Sequence, residues 1–216
     1  MIDSDSIRRY VESHIRQNVS TSIPAEIVSI DDYSTDQTIA VRPLIDRLYE
    51  DGAVLKPSVV YSVPVVFPSG GGGLISFPLA VGDTVLVVFS MRSIDEWVNS
   101  DGKGQTPLDN RHHHRSDAIA IPGIFTKSSN LAPSATDVEV KFKNMSVKLE
   151  PDNTLTLDNG TSNVVLNGSD VTITGNLVVT GTTTLAATVT SDGTSIGSTH
   201  KHSGVQSGGS NTGNPV

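Results

Sequence analysis

Two histidines, His200 and His202, stand one residue apart in "STHKHSG", residues 198–204, among Gly, Ser, Thr and Asn. On an extended strand successive side chains point to opposite faces. Both imidazoles then share one face, and Lys201 takes the other. Two ligands do not close a metal site. Three copies of the strand around an axis along its direction would supply six imidazole nitrogens. Six nitrogens suit an octahedral first-row ion such as Fe(II) or Ni(II), and not tetrahedral zinc. A catalytic metal keeps an open position, which such a shell does not leave. The pair is therefore expected to be structural, and the chain is not expected to be an enzyme.

The other candidates carry less. His112, His113 and His114 are consecutive in "DNRHHHRSDA". Only His112 and His114 could share a face, and no acid or cysteine stands at a clear ligand spacing, so an ordinary loop is expected. "PSGGGGLISF" has four glycines in a row. A phosphate cradle would need Gly-Lys-Ser/Thr and a following helix; here a hairpin loop leading into a strand is expected. Asp158, Asp170 and Asp192 each sit beside Gly or Asn, as turn residues do.

Composition narrows the classes further. The formal net charge of −8 argues against a nucleic-acid partner, which needs clustered Lys and Arg. There is no cysteine, hence no disulfide framework. No apolar run approaches the roughly 20 residues of a membrane-spanning helix. "MIDSDSIRRYVESH" lacks an apolar leader core, so folding in a cytosol is expected. The only Trp and all four Tyr precede residue 100, whereas 47 of the 64 residues from Asn153 to Val216 are Thr, Ser, Gly, Asn or Val. That shift marks two regions of different architecture.

Four segments would position the histidines. Residues 1–20 contain a stripe of Ile7, Tyr10, Val11 and Ile15 at helical spacing, with Asp3 or Ser4 as cap. A lone helix of this length is marginal in water and must dock on something. Residues 21–130 read as short β-branched strands separated by Gly, Pro and Asp: "AEIVSID", "QTIAVRPLI", "SVVYSVPVVFP", "GLISFPL" and "DTVLVVFSM", with "SIDEWVNSDG" as a short helix and "DAIAIPGIF" as a further strand. This all-β pattern suits a small closed barrel of the oligonucleotide/oligosaccharide-binding type, with a β-sandwich as alternative. Residues 131–196 alternate small apolar and polar side chains every second residue, punctuated by Asn, Asp and Gly. Strands of this kind cannot bury one face alone and need partners beside them; disorder is the competing reading of so much Ser, Thr and Gly. Residues 197–216 carry the histidine pair.

The order of these parts, with "RSIDEW…DNRHHHRSDAIAIPGIF" closing the barrel region, a Thr/Val/Gly-rich repeat, and "STHKHSG…GGSNTGNPV" after it, resembles the central spike proteins of contractile-tailed bacteriophages, the baseplate protein V-like, membrane-puncturing group. The resemblance covers nearly the whole chain. It implies a homotrimer: a barrel domain, an intertwined trimeric β-helix over residues 131–196, and a metal-bound apex at residues 197–216. It also implies one iron ion per trimer, held by His200 and His202 of three chains. Its implied partners are the tail hub and baseplate, through the N-terminal region, and transiently the host outer membrane, which the spike pierces on sheath contraction. The expected location is the virion tail tip, after assembly in the host cytoplasm. Ser203 stands where some relatives have proline. A receptor-binding, glycan-recognising fibre tip is the alternative, but residues 143–216 contain no aromatic side chain to line a sugar site.

Overall fold

The computed structural model describes residues 3–49, 51–129, 131–197, 200 and 204. The chain divides into two compact units, Met1–Ala132 and Pro133–Val216.

The first unit opens with α1 (Ser4–Asn18). Asp3 caps it: the Ser6 N–H donates to Asp3 Oδ1 at 2.7 Å, satisfying one of the amides a helix start leaves unpaired. Arg8 and Glu12 pair across one helical turn at 2.9 Å. The chain then enters β1 (Ser22–Ser29), the one-turn α2 (Tyr33–Asp36) and β2 (Thr38–Pro43). A two-residue ribbon, β3 (Arg47–Leu48) with β4 (Val54–Leu55), precedes β5 (Val60–Pro64). A second ribbon, β6 (Ser69–Gly70) with β7 (Gly73–Leu74), holds the glycine run. Gly71 and Gly72 form its turn with φ of 57° and 84°. Positive φ at both central positions is what a type I′ hairpin requires. β8 (Thr84–Phe89), the short α3 (Asp95–Val98) and β9 (Ala118–Pro122) complete the unit.

The main sheet has the order β5-β2-β1-β8-β9, with antiparallel neighbours throughout. It curls until its edges approach each other. Val65, just after β5, bridges Ala120 of β9 in parallel, and the Val66 N–H donates to Ala120 O at 2.9 Å. The inner side of the curl is the core, supplied by alternate residues: Ala25 and Ile27 of β1, Val85 and Val87 of β8, Ala118 and Ala120 of β9. Phe67 closes it, with Phe77 edge-on at 5.1 Å between ring centres. The fifth strand is therefore Ala118–Pro122. Residues 73–79 are outside this sheet, and of them only Gly73 and Leu74 form a strand, in the separate β6/β7 ribbon. Their apolar side chains serve as a lid: Phe77 packs on Phe67, and Phe77 O accepts from Tyr33 Oη at 3.1 Å.

The second unit is one antiparallel meander, β10 (Val138–Phe142), β11 (Met145–Leu149), β12 (Leu155–Asp158), β13 (Asn163–Asn167) and β14 (Asp170–Thr174), in sequence order. Its turns are short and built from the residues the sequence marked. Lys143 adopts φ 54°, Asp158 Oδ1 accepts from the Gly160 N–H at 2.6 Å, and Asn159 Oδ1 accepts from the Ser162 N–H at 2.8 Å. A last ribbon, β15 (Thr190–Ser191) with β16 (Thr194–Ser195), turns at Asp192-Gly193 with φ of 48° and 77°. Residues 175–189, whose alternation predicts strands, form none. A strand is a pairing, and this segment has no ladder neighbour within its own unit.

No helix among the described residues is long and apolar enough to cross a membrane.

Candidate functional site

The histidine pair falls at the edge of the described residues. His202 lies outside them. His200 is exposed, and its Nδ1 stands 2.7 Å from Gly197 O, while its own N–H donates to the same carbonyl at 3.0 Å. A carbonyl only accepts, so in this contact Nδ1 is the donor. Metal-binding histidines commonly give one ring N–H to a backbone carbonyl, and this contact of His200 is of that kind. Among the described residues no group of three or more His, Cys, Asp or Glu side chains is gathered to hold a metal. Gly193-Thr194-Ser195-Ile196-Gly197 has Gly-x-Ser-x-Gly spacing, but Ser195 ends a two-residue strand of a hairpin. A nucleophile elbow is a strand-to-helix turn.

The three-histidine loop lies in the first unit. His112 and His114 are exposed; His113 is half-buried with φ 48°, and its carbonyl accepts from the Ser20 N–H at 3.3 Å. The loop joins the end of α1 to the barrel. Next to it lies a charge cluster that sequence reasoning missed. Asp117 is fully buried at the start of β9 and takes two hydrogen bonds from Arg111, whose guanidinium also reaches Asp95 at 2.7 Å and Asp109 at 3.1 Å. The signal is Arg111 between Asp109 and Asp117 in "DNRHHHRSD", which also holds Arg115. The third acid, on α3, is sixteen residues away and cannot be read locally.

Two apolar surfaces remain uncovered. One is the α1 stripe, where Ile7 is 53% and Ile15 52% exposed. The other is one face of the second unit's sheet. The register aligns Val140, Val147, Leu157, Val164 and Ile173 in one row, and Val138, Leu149, Leu155, Leu166 and Val171 in the next. No apolar side chain of this unit is buried among the described residues.

Comparison with known proteins assigns both ends of this arrangement. Residues 23–123 match the family described as the phage protein Gp138 N-terminal domain. Residues 198–216 match the GpV Apex motif. Together they point to a phage baseplate central spike protein of the gpV type. No curated protein matches the chain. The first match covers the curled sheet from β1 to Gly123 and includes the Arg111 cluster. The second begins just before the histidine pair, so His200 and His202 both lie inside an apex motif. The chain is accordingly a mostly β phage tail and baseplate protein, and its place is the virion.

Proposed function

We propose that the chain is the membrane-piercing central spike of a contractile tail, acting as a homotrimer. The observation that carries this is the order of parts: a Gp138-type N-terminal domain, then a sheet with one uncovered apolar face, then a GpV apex. The first unit is read as a closed barrel of the oligonucleotide/oligosaccharide-binding type. Its strand order, and the parallel bridge from Val65 to Ala120, support that reading. Residues 131–196 make the β-helical shaft. Residues 197–216 make the tip, where His200 and His202 of three chains hold one iron ion through six imidazole nitrogens. Bound there, the metal supplies cross-linking between chains at a point too thin for a hydrophobic core. The role needs no catalytic group. The N-terminal region meets the tail hub, and sheath contraction drives the apex into the host outer membrane.

The physical logic is stiffness. Strand edges paired between wound chains leave no loose edge, and separating three wound chains is slow, which favours kinetic stability. The test uses whole tails. Tails with the chain should release a periplasmic reporter enzyme from host cells on contraction; tails that assemble without it should contract and release none. Equal release from both would overturn the piercing role.

A further inference from the structure

The proposed trimer leaves open which parts of the shaft exchange strands between chains. Four facts bear on it. Every neighbouring pair from β10 to β14 is already hydrogen-bonded within one chain. The alternation puts Glu139, Lys141, Lys148, Asp158 and Asp170 on the face opposite the apolar rows, and there Lys141 pairs with Glu139 at 2.7 Å while Lys148 lies 3.6 Å from Asp137. The two apolar rows themselves carry no charged residue; Lys143, 5.3 Å from the centre of the Phe142 ring, marks their end, and the rows can meet copies of themselves without desolvating an unpaired ion. Five strands about 4.8 Å apart, each four or five residues at about 3.4 Å, give a patch of roughly 400 Å² in projection, within the range of the largest apolar patch on an ordinary monomer, which is often functional. By contrast, residues 175–189 alternate Leu177, Val179, Leu185 and Val189 with polar side chains and have no ladder neighbour.

We infer that each chain contributes its whole β10–β14 sheet as one wall of a three-walled prism, apolar face inward against the same face of two other copies. Exchange of strands between chains is then confined to residues 175–196. This rests on the trimer reading and refines it: the upper shaft is three chain-wise sheets, not a braid. Sheets packed face to face sit about 10 Å apart. Aliphatic side chains with Phe142 as the single aromatic can fill that space.

The chain has no cysteine, so introduced thiols report without background. Lys148 and Thr156 oppose each other on the charged face. In full-length protein carrying Lys148→Cys with Thr156→Cys, oxidation should consume both thiols, and a denaturing gel without reductant should show single chains. Covalent dimers or trimers on that gel, or unreacted thiols, would overturn the chain-wise wall. Leu157→Asp on the inward face should lower the solution mass below that of a trimer, whereas Thr156→Asp on the opposite face should leave it unchanged. A trimer that survives Leu157→Asp with an unchanged circular dichroism spectrum would equally overturn the wall. A wild-type chain that is monomeric by light scattering would remove the trimer reading itself, a distinct outcome from a trimer with interchain disulfides.

Discussion

Arg111 grips Asp117 through two parallel hydrogen bonds, Nε to Oδ2 at 2.7 Å and Nη2 to Oδ1 at 2.8 Å. The pair ties the loop after α3 to the start of β9, and the Ile94 N–H donates a third bond to Asp117 Oδ1 at 3.0 Å. Burial pushes the Asp117 carboxyl up, but the Arg111 and Ile94 hydrogen bonds and the guanidinium charge outweigh it and hold the carboxyl below its usual range. The hydrogen bond to Asp117, then those to Asp95 and Asp109, raise Arg111 against the opposing effect of burial. Losing the Asp117 carboxylate leaves Arg111 its Asp95 and Asp109 partners but removes two Arg111 hydrogen bonds and that of the Ile94 N–H from a buried site, at about 1–3 kcal/mol. Asp117→Ala should therefore destabilise the first unit by that order in urea unfolding followed by fluorescence of Trp97, the only tryptophan. A loss under about 1 kcal/mol, the range of an exposed pair, would show that the cluster is not structural.

The same carboxyl sets an acid limit. Its folded pKa lies below its unfolded value of about 3.9. The stability it contributes is thus present above about pH 4 and is lost as pH falls through the folded value. Between pH 5 and pH 2 the wild type should lose more stability than Asp117→Ala does. Parallel losses in the two proteins would assign the acid sensitivity elsewhere.

The α1 stripe should matter for assembly and not for folding. Ile7 and Val11 are 53% and 46% exposed, and surface changes of this kind typically move stability by no more than about 0.5 kcal/mol. Ile7→Asp with Val11→Asp should leave the unfolding midpoint nearly unchanged and reduce incorporation into tails, as should deletion of residues 1–18. Wild-type incorporation of both variants would remove the tail-facing role of the N-terminal region.

Much of the first unit was legible because local chemistry decides it. Asp3 before a helical stripe caps α1, and the tetraglycine makes a hairpin turn. Both "GLISFPL" and "DAIAIPGIF" read as strands; the second is β9, while only packing shows that the first gives a two-residue ribbon strand and the lid residue Phe77. In the second unit alternation exposed the one-sided faces. Which residues oppose one another depends on turn lengths at Lys143-Asn144 and Gly168-Ser169, and those fix the register only once the chain folds. Residues 175–189 show the opposite limit, since a strand pattern needs a partner to become a strand.

Gly175 separates backbone strain from steric clash. Its φ is +132°, and a Cβ there would lie 2.8 Å from Ser162 Oγ and 3.1 Å from Ser162 Cβ. Backbone strain of this type costs on the order of 1–3 kcal/mol, and the clash adds to it. Gly168 has φ +60° with open space around it, so it carries strain alone. Gly175→Ala should lower the melting temperature more than Gly168→Ala, and Ser162→Ala should recover part of the difference. Equal shifts from the two glycine substitutions would mean that Ser162 yields without cost.

The tip makes the last prediction. His200 Nδ1 is held by Gly197 O at 2.7 Å, and His200 and His202 lie in the same apex motif. One iron ion per three chains is expected by elemental analysis of the full-length protein. Replacing both histidines with alanine should abolish it, while replacing His112, His113 and His114 should not. Binding requires neutral imidazole, so metal should be released on acidification and regained on return to neutrality. The barrel unit should keep its unfolding midpoint in the double variant, because the loss is confined to the tip and repeat structures couple mainly to their neighbours. Metal retained after both substitutions, or one ion per chain, would rule out a shared apex site, since two imidazoles from one chain cannot fill an octahedral shell.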